Sequence, residues 1–280
     1  MTNDEGAAVS DGSYQQPQQP ATPAPPGRPA RNLLISLLVA AIMLLLGIVI
    51  GLLIANANSG SESAAPAGGD TPAATAGATP SAEPTFTEEE VQEVLELIRA
   101  QPRRDAEDPY AVGEVDAPVV LIEYADYRCS FCGKWALETK PGLMEQVEDG
   151  TLRIEWRDFP VFGNESVDLA VAARAAAQQG LFWEYNEAIF TYQFEENNQD
   201  FTAEALTALA ERVGVPDLEA FAADLGSEEL RAEVQAEFDA SLSLLGQAST
   251  PQFLINDQYV GGALPLEDFQ AVIEQELGKL

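Results

Sequence analysis

Histidine is absent from this 280-residue chain, and cysteine occurs only twice. A structural zinc centre takes four ligands, drawn mostly from these two residue types. Only carboxylates or a second chain could complete one here, which argues against a zinc protein. A disulfide-stapled secreted fold would carry more than one cysteine pair. Lysine is confined to Lys134, Lys140 and Lys279, and 46 acidic residues face 14 basic ones, for a net charge of −32. Phosphate contacts need clustered Lys or Arg, so this balance argues against nucleic-acid binding and against attraction to an anionic membrane surface. The acidity reads as a solvated surface. With so little lysine it also fits adaptation to high salt, which predicts a melting temperature that rises in molar salt.

What is present begins with one long apolar run. Leu33–Ile54 carries no charge and spans about 33 Å as a helix, enough for the hydrocarbon core of a bilayer. Arg28 and Arg31 precede it, and no Lys or Arg follows until Arg99. The positive-inside rule then keeps the N-terminus in the cytoplasm and exports the remainder. The competing reading is a cleaved signal peptide, with Ala55-Asn56-Ala57 as the cleavage site. The length of the run and the polar tail before it favour an uncleaved anchor. The expected organisation is a disordered cytoplasmic tail over 1–32, a transmembrane helix over 33–54 and a flexible extracytoplasmic linker over 55–85. A helical lead-in over 86–109 and a folded domain over 110–280 follow. Thr87 and Glu90 form a capping-box pattern at the start of the lead-in.

The cysteines lie three residues apart, in Tyr127-Arg128-Cys129-Ser130-Phe131-Cys132-Gly133-Lys134. Val119–Tyr124 before them reads as a buried strand and Trp135–Val147 after them as a helix, bent near Pro141-Gly142. Thiol–disulfide exchange needs this placement. A helix N-terminus offers free N–H groups and a positive dipole end, and both stabilise a thiolate. Cys129, at the tip, can attack a disulfide; Cys132, one turn in, can resolve the mixed disulfide. A purely structural disulfide is the alternative. It would close a very small loop and stabilise little. Lys134 is read as exposed.

Leu152–Arg157 alternates as a second strand. Ser166–Phe194 is Ala-rich and helical, interrupted at Gly180. Further helices are expected over Phe201–Val213, Pro216–Leu225 and Ser227–Leu245. Gln252–Ile255 and Gln258–Val260 read as a hairpin across Asn256-Asp257, and Leu266–Leu277 as a last helix. The order is βαβ, a helical block, then ββα. This is a mixed α/β domain with helices inserted at about 166–245.

At three places the residues resemble the DsbA-like branch of the thioredoxin superfamily. They are Asp116-Ala117-Pro118 through Cys132, Gln179-Gly180-Leu181-Phe182-Trp183-Glu184-Tyr185, and Ser249-Thr250-Pro251-Gln252-Phe253-Leu254-Ile255-Asn256-Asp257. The likeness covers about 110–280. It implies a thioredoxin fold with an inserted helical subdomain. It implies a cis Thr250–Pro251 peptide beside the cysteines, with the Thr250 main chain open to an extended substrate. Glu123, six residues before Cys129, matches the family's buried acid. Its apolar neighbours should raise its pKa, and it would shuttle the Cys132 proton. Ser130 and Phe131 would face substrate beside Thr250 and Pro251. The chain departs from the family in having no histidine between the cysteines and in carrying Ser249 where glycine is common.

The resulting expectation is a membrane-tethered, extracytoplasmic thiol–disulfide oxidoreductase. Its clients are exported proteins with cysteines, its redox partner lies in the membrane, and it needs no cofactor and no metal. Introduction of disulfides is the favoured direction. A reductase or isomerase fed by a membrane electron donor is the second reading, and a redox-inert peptide-binding module the third.

Overall fold

The computed structural model describes residues 87–279. The expected tail, membrane helix and linker lie outside the described residues. Among the described residues no helix is long and apolar enough to cross a membrane.

A capping box opens α1 (Glu88–Arg99): the Thr87 hydroxyl accepts the Glu90 N–H, and the Glu90 carboxylate accepts the Thr87 N–H. Val94 and Ile98 on its inner face are buried, and Arg99 forms a 2.6 Å ion pair with Asp257. The lead-in helix therefore packs onto the folded unit.

Five strands follow: β1 (Ala111–Val112), β2 (Val119–Ala125), β3 (Leu152–Asp158), β4 (Gln252–Ile255) and β5 (Gln258–Gly261). They form one sheet in the order β1-β3-β2-β4-β5. β2 and β3 are parallel and every other pairing is antiparallel. The two-residue β1 was not legible in sequence because it is too short to show alternation.

β2 is buried along its whole length, and its period of two divides it between two cores. Val120, Ile122 and Tyr124 join Val94 and Ile98 of α1. Val119, Leu121 and Ala125 face the opposite way, among Trp135, Trp156 and Phe253. Glu123 shares the parity of this second set. β3 also alternates, but its α1-facing residues are Arg153, Glu155 and Arg157, all buried. Both arginines reach the Glu155 carboxylate, at 3.0 and 2.7 Å.

The helix after the cysteines departs from the expected form. It runs as α2 (Ser130–Lys134), a π-helical turn (Trp135–Thr139), a 3₁₀ turn (Lys140–Leu143) and α3 (Met144–Glu148). The distortion begins upstream of Pro141. A proline ring inside a helix clashes with the carbonyl four residues earlier, and the turn containing Leu137 is the one that widens. The helical block comprises α4 (Asn164–Ala177), α5 (Phe182–Phe190), a π turn (Thr191–Glu195), α6 (Ala203–Val213), α7 (Leu218–Asp224) and α8 (Glu228–Leu245). α4 and α5 are divided at Gly180, whose φ is +77°. α9 (Leu266–Leu277) closes the described chain and covers the sheet with Phe269 and Ile273.

Candidate active site

Cys129 caps α2 with extended backbone, and its sulfur accepts the Cys132 N–H at 3.4 Å. Its own N–H donates to the Asp126 carbonyl, and its carbonyl accepts the Gly133 N–H. The Cys129 thiol donates to the Thr250 carbonyl at 3.4 Å, and the Thr250–Pro251 peptide is cis. The topology explains this meeting. β4 begins immediately after Pro251 and pairs with β2, so it delivers Thr250 to the end of β2 that carries the cysteine turn.

The two thiols are free and differ in acidity. The Cys132 side chain, reinforced by the N–H groups of Phe131 and Cys132, brings Cys129 down to about 6. Desolvation pushes Cys132 well above the ordinary thiol value, and the neighbouring Cys129 adds to it. Both cysteines are buried, and the two thiols are set apart in acidity within one helical turn.

Glu123 lies on β2 in register with Trp156 and Phe253, fully buried. Burial raises its carboxyl well above the usual carboxylate range, Lys140 opposes the shift, and Cys129 adds to it. One carboxylate oxygen, Oε1, has no hydrogen-bond partner among the described residues. Ser130 is exposed and the Phe131 ring is 62 % exposed at the mouth. Pro251 is buried, Thr250 half-buried, and Lys134 exposed. The structure thus brings Cys129, Cys132 and the Thr250–Pro251 bond into one mouth, with Ser130 and Phe131 at its rim and Glu123 on the strand face beneath.

Four residues escaped the sequence reading. Asp126 is a buried carboxylate that accepts the N–H groups of Arg128 (2.7 Å), Val161 (2.6 Å) and Phe162 (3.0 Å). It ties the cysteine turn to the loop after β3. Its only signal was its position three residues before Cys129. Arg128 spans to the helical block, reaching Gln193, Gln199 at 2.6 Å and Glu165 at 2.8 Å, with its guanidinium over the Phe201 ring. Phe194 lies against Gly133, so closely that a Cβ at Gly133 would fall within its ring. Lys140 is buried under the helical block. None of these long-range contacts leaves a mark in local sequence.

A sheet of thioredoxin topology, with an acidic thiol at a helix N-terminus and a buried thiol behind it, defines a thiol–disulfide oxidoreductase. Comparison with known proteins agrees. Residues 105–275 match the thioredoxin family model, and the chain belongs to that family, in its DsbA-like branch. It is similar to the probable disulfide bond formation protein D of Bacillus anthracis, with 30% identity over 177 residues, 60% of this chain and 78% of that protein. Oxidised BdbD from Bacillus subtilis superposes with a TM-score of 0.56 at 22% identity, covering 60% of this chain and 92% of that one. The α-DsbA1 of Wolbachia pipientis superposes with a TM-score of 0.53 at 23% identity, covering 61% and 91%.

Proposed function

We propose that this oxidoreductase works outside the cytoplasm and introduces disulfides into exported proteins through Cys129. In the oxidised enzyme, a client thiolate attacks the Cys129 sulfur. The Cys129–Cys132 bond breaks, a Cys129–client disulfide forms, and the electron pair leaves on Cys132. Glu123, protonated in its apolar setting, gives Cys132 its proton. A second client thiolate then attacks the client sulfur and expels Cys129 as a thiolate. The client is oxidised by two electrons and the enzyme is left as a dithiol. In the reverse sense, Cys132 resolves the mixed disulfide and returns its proton to Glu123. A membrane redox partner would restore the disulfide.

The observation that carries the direction is the stabilised Cys129 sulfur. It is held by the Cys132 N–H and brought down to about 6. A stabilised thiolate favours the dithiol form and is a good leaving group, and both features make a donor of disulfides. Client recognition is supported by the Thr250 main chain at the mouth, with Pro251, Ser130 and Phe131 around it. The membrane setting rests on Leu33–Ile54 with Arg28 and Arg31 before it.

Equilibrium titration of the cysteine pair against glutathione tests the direction. Potentials in this superfamily run from about −120 mV for strong oxidants to about −270 mV for reductants. A value near the upper end supports disulfide donation. A value near the lower end would replace it with the reductase reading.

A further inference from the structure

The segment that carries Thr250 to the cysteines has little backbone support of its own. Residues 247–250 lie between the end of α8 and the start of β4, and among the described residues the carbonyls of Gln247 and Ser249 meet no backbone N–H. Their partner is a side chain. The Gln252 carboxamide donates to the Ser249 carbonyl at 2.6 Å, reaching back past Pro251, and to the Gln247 carbonyl at 3.4 Å. Its oxygen accepts the Tyr259 hydroxyl at 3.0 Å, and the Tyr259 oxygen accepts the Gln247 side-chain amide at 3.3 Å. Gln252 is buried, and both ends of its amide are engaged. The amide is therefore fixed in one sense, because turned over it would set its oxygen against two carbonyls. The strands place the parts. Gln252 opens β4 opposite Gly261 of β5, and Tyr259 is its diagonal neighbour on the same face. The Tyr259 ring lies beside Gly261, where a Cβ would come 3.1 Å from the hydroxyl oxygen. The glycine leaves the phenol room to reach Gln252.

We propose that Gln252 is a positioning residue for client alignment: its carboxamide, oriented by Tyr259, holds the 247–251 loop so that the Thr250 main chain is presented beside Cys129. The inference deepens the proposed function and rests on its reading of Thr250 as the main-chain contact of an extended client. Thr250 is pinned on both sides. Before it, Gln252 holds the Ser249 carbonyl; after it, the Gly262 N–H holds the Pro251 carbonyl at 2.9 Å. The Thr250 carbonyl between them meets the Cys129 sulfur. An extended chain adds itself to a backbone edge through main-chain hydrogen bonds, which need the N–H and carbonyl directions of that edge to be set in advance. A loop without backbone bonds of its own gains that order here from one buried side chain.

The test compares reduced wild type, Gln252→Leu, Tyr259→Phe and the double variant on two disulfides with one leaving group. One is an extended peptide whose single cysteine carries thionitrobenzoate. The other is the symmetric thionitrobenzoate disulfide, which has no main chain to pair with Thr250. Thionitrobenzoate release is followed by absorbance. In Gln252→Leu the half-saturating peptide concentration should rise about tenfold, the size of one net hydrogen bond. The maximal rate and the rate with the small disulfide should hold. Tyr259→Phe loses a single oxygen and guards against a variant that fails to fold. It should move the half-saturation in the same direction and add nothing to Gln252→Leu, as for two members of one network. Equal slowing with both disulfides would place the effect in the cysteine turn and overturn the proposal. So would a half-saturation unmoved in both single variants while wild type still saturates with peptide. A wild type that does not saturate with peptide overturns the reading of Thr250 itself, and this proposal with it.

Discussion

The carbonyl oxygen of Thr250 lies 3.4 Å from the Cys129 sulfur, so the main-chain group proposed to meet a client also touches the proposed nucleophile. The contact depends on protonation. A thiol can donate to that carbonyl, whereas a thiolate cannot and relies on the N–H of Cys132.

Cys129 should therefore titrate with a midpoint near 6, as followed by thiolate absorbance or by the pH dependence of alkylation. The sign for stability follows. A depressed acid stabilises the folded reduced form fully above the ordinary thiol value of about 8.5, and loses that contribution as pH falls through about 6. The stability of the reduced protein relative to a Cys129→Ser variant should rise with pH across this window, a comparison that cancels the opposite slope of the raised Glu123 carboxyl. A midpoint near 8.5 would remove the thiolate argument.

Replacing Glu123 by Gln keeps the shape of the side chain and removes its proton exchange. Resolution of a preformed mixed disulfide should slow by about 10²-fold, the lower end of what positioned proton transfer contributes, while the melting temperature holds or rises. The stability follows from removing a carboxyl that burial disfavours in its charged form. Stopped-flow kinetics with a peptide mixed disulfide measures the rate, and unchanged kinetics would end the shuttle role.

Gly133→Ala places a methyl group within the Phe194 ring and must displace it. Phe194 belongs to the turn that also provides Gln193 to Arg128 and to the Tyr127 carbonyl. The expected loss is about 1–3 kcal/mol, typical of overpacking. It should be read by chemical denaturation, with faster hydrogen exchange at 191–199 as the local sign.

At the C-terminal end of β3, where Asp158 is in register with Ala125 of β2, Arg174 holds Asp158 at 2.7 Å and Glu237 at 2.6 Å in a buried cluster. Arg174→Met leaves Asp158 without its ion-pair partner and Glu237 with Arg103 alone. The cost should be about 3–5 kcal/mol, as for other broken buried pairs. The exchange rate per folded molecule should not change, because the hydrogen bonds of Arg174 go to Asp158, Glu233 and Glu237 and not to Cys129, Cys132 or Thr250. Denaturation and an insulin-reduction assay, run in parallel, check the two halves of this expectation.

Much of the site was legible because its chemistry is local. Cys129 and Cys132 announce themselves by spacing, whereas Glu123 and the cis Pro251 were read through the family resemblance, from the offset before Cys129 and from the Ser249–Asp257 motif. The strands and most helices followed from period and glycine punctuation, as at Gly214 and Gly246, which close α6 and α8 with positive φ. What escaped depends on partners distant in sequence. Asp126 becomes a clamp only when the loop after β3 returns to it. Lys140 becomes a buried cation only when α5 packs above it. Arg153, Glu155 and Arg157 read in sequence as the polar face of a half-exposed strand. In the fold they form a buried ladder, because residues 101–105 lie across them: Gln101 and Asp105 offer carbonyls to Arg157 and Arg153, and the N–H groups of Arg103 and Arg104 meet Glu155.

The division of labour between the two cysteines is the central claim, and trapping tests it most directly. Cys132→Ser and Cys129→Ser proteins would be mixed with an oxidised peptide disulfide and resolved on a non-reducing gel. The account predicts a reducible covalent adduct that accumulates on the Cys132→Ser protein, because the Cys129 thiolate attacks and nothing resolves the product. The Cys129→Ser protein, with only a buried thiol of raised pKa, should form none at neutral pH. Adduct formation at Cys132 with none at Cys129, or equal trapping by both, would contradict it.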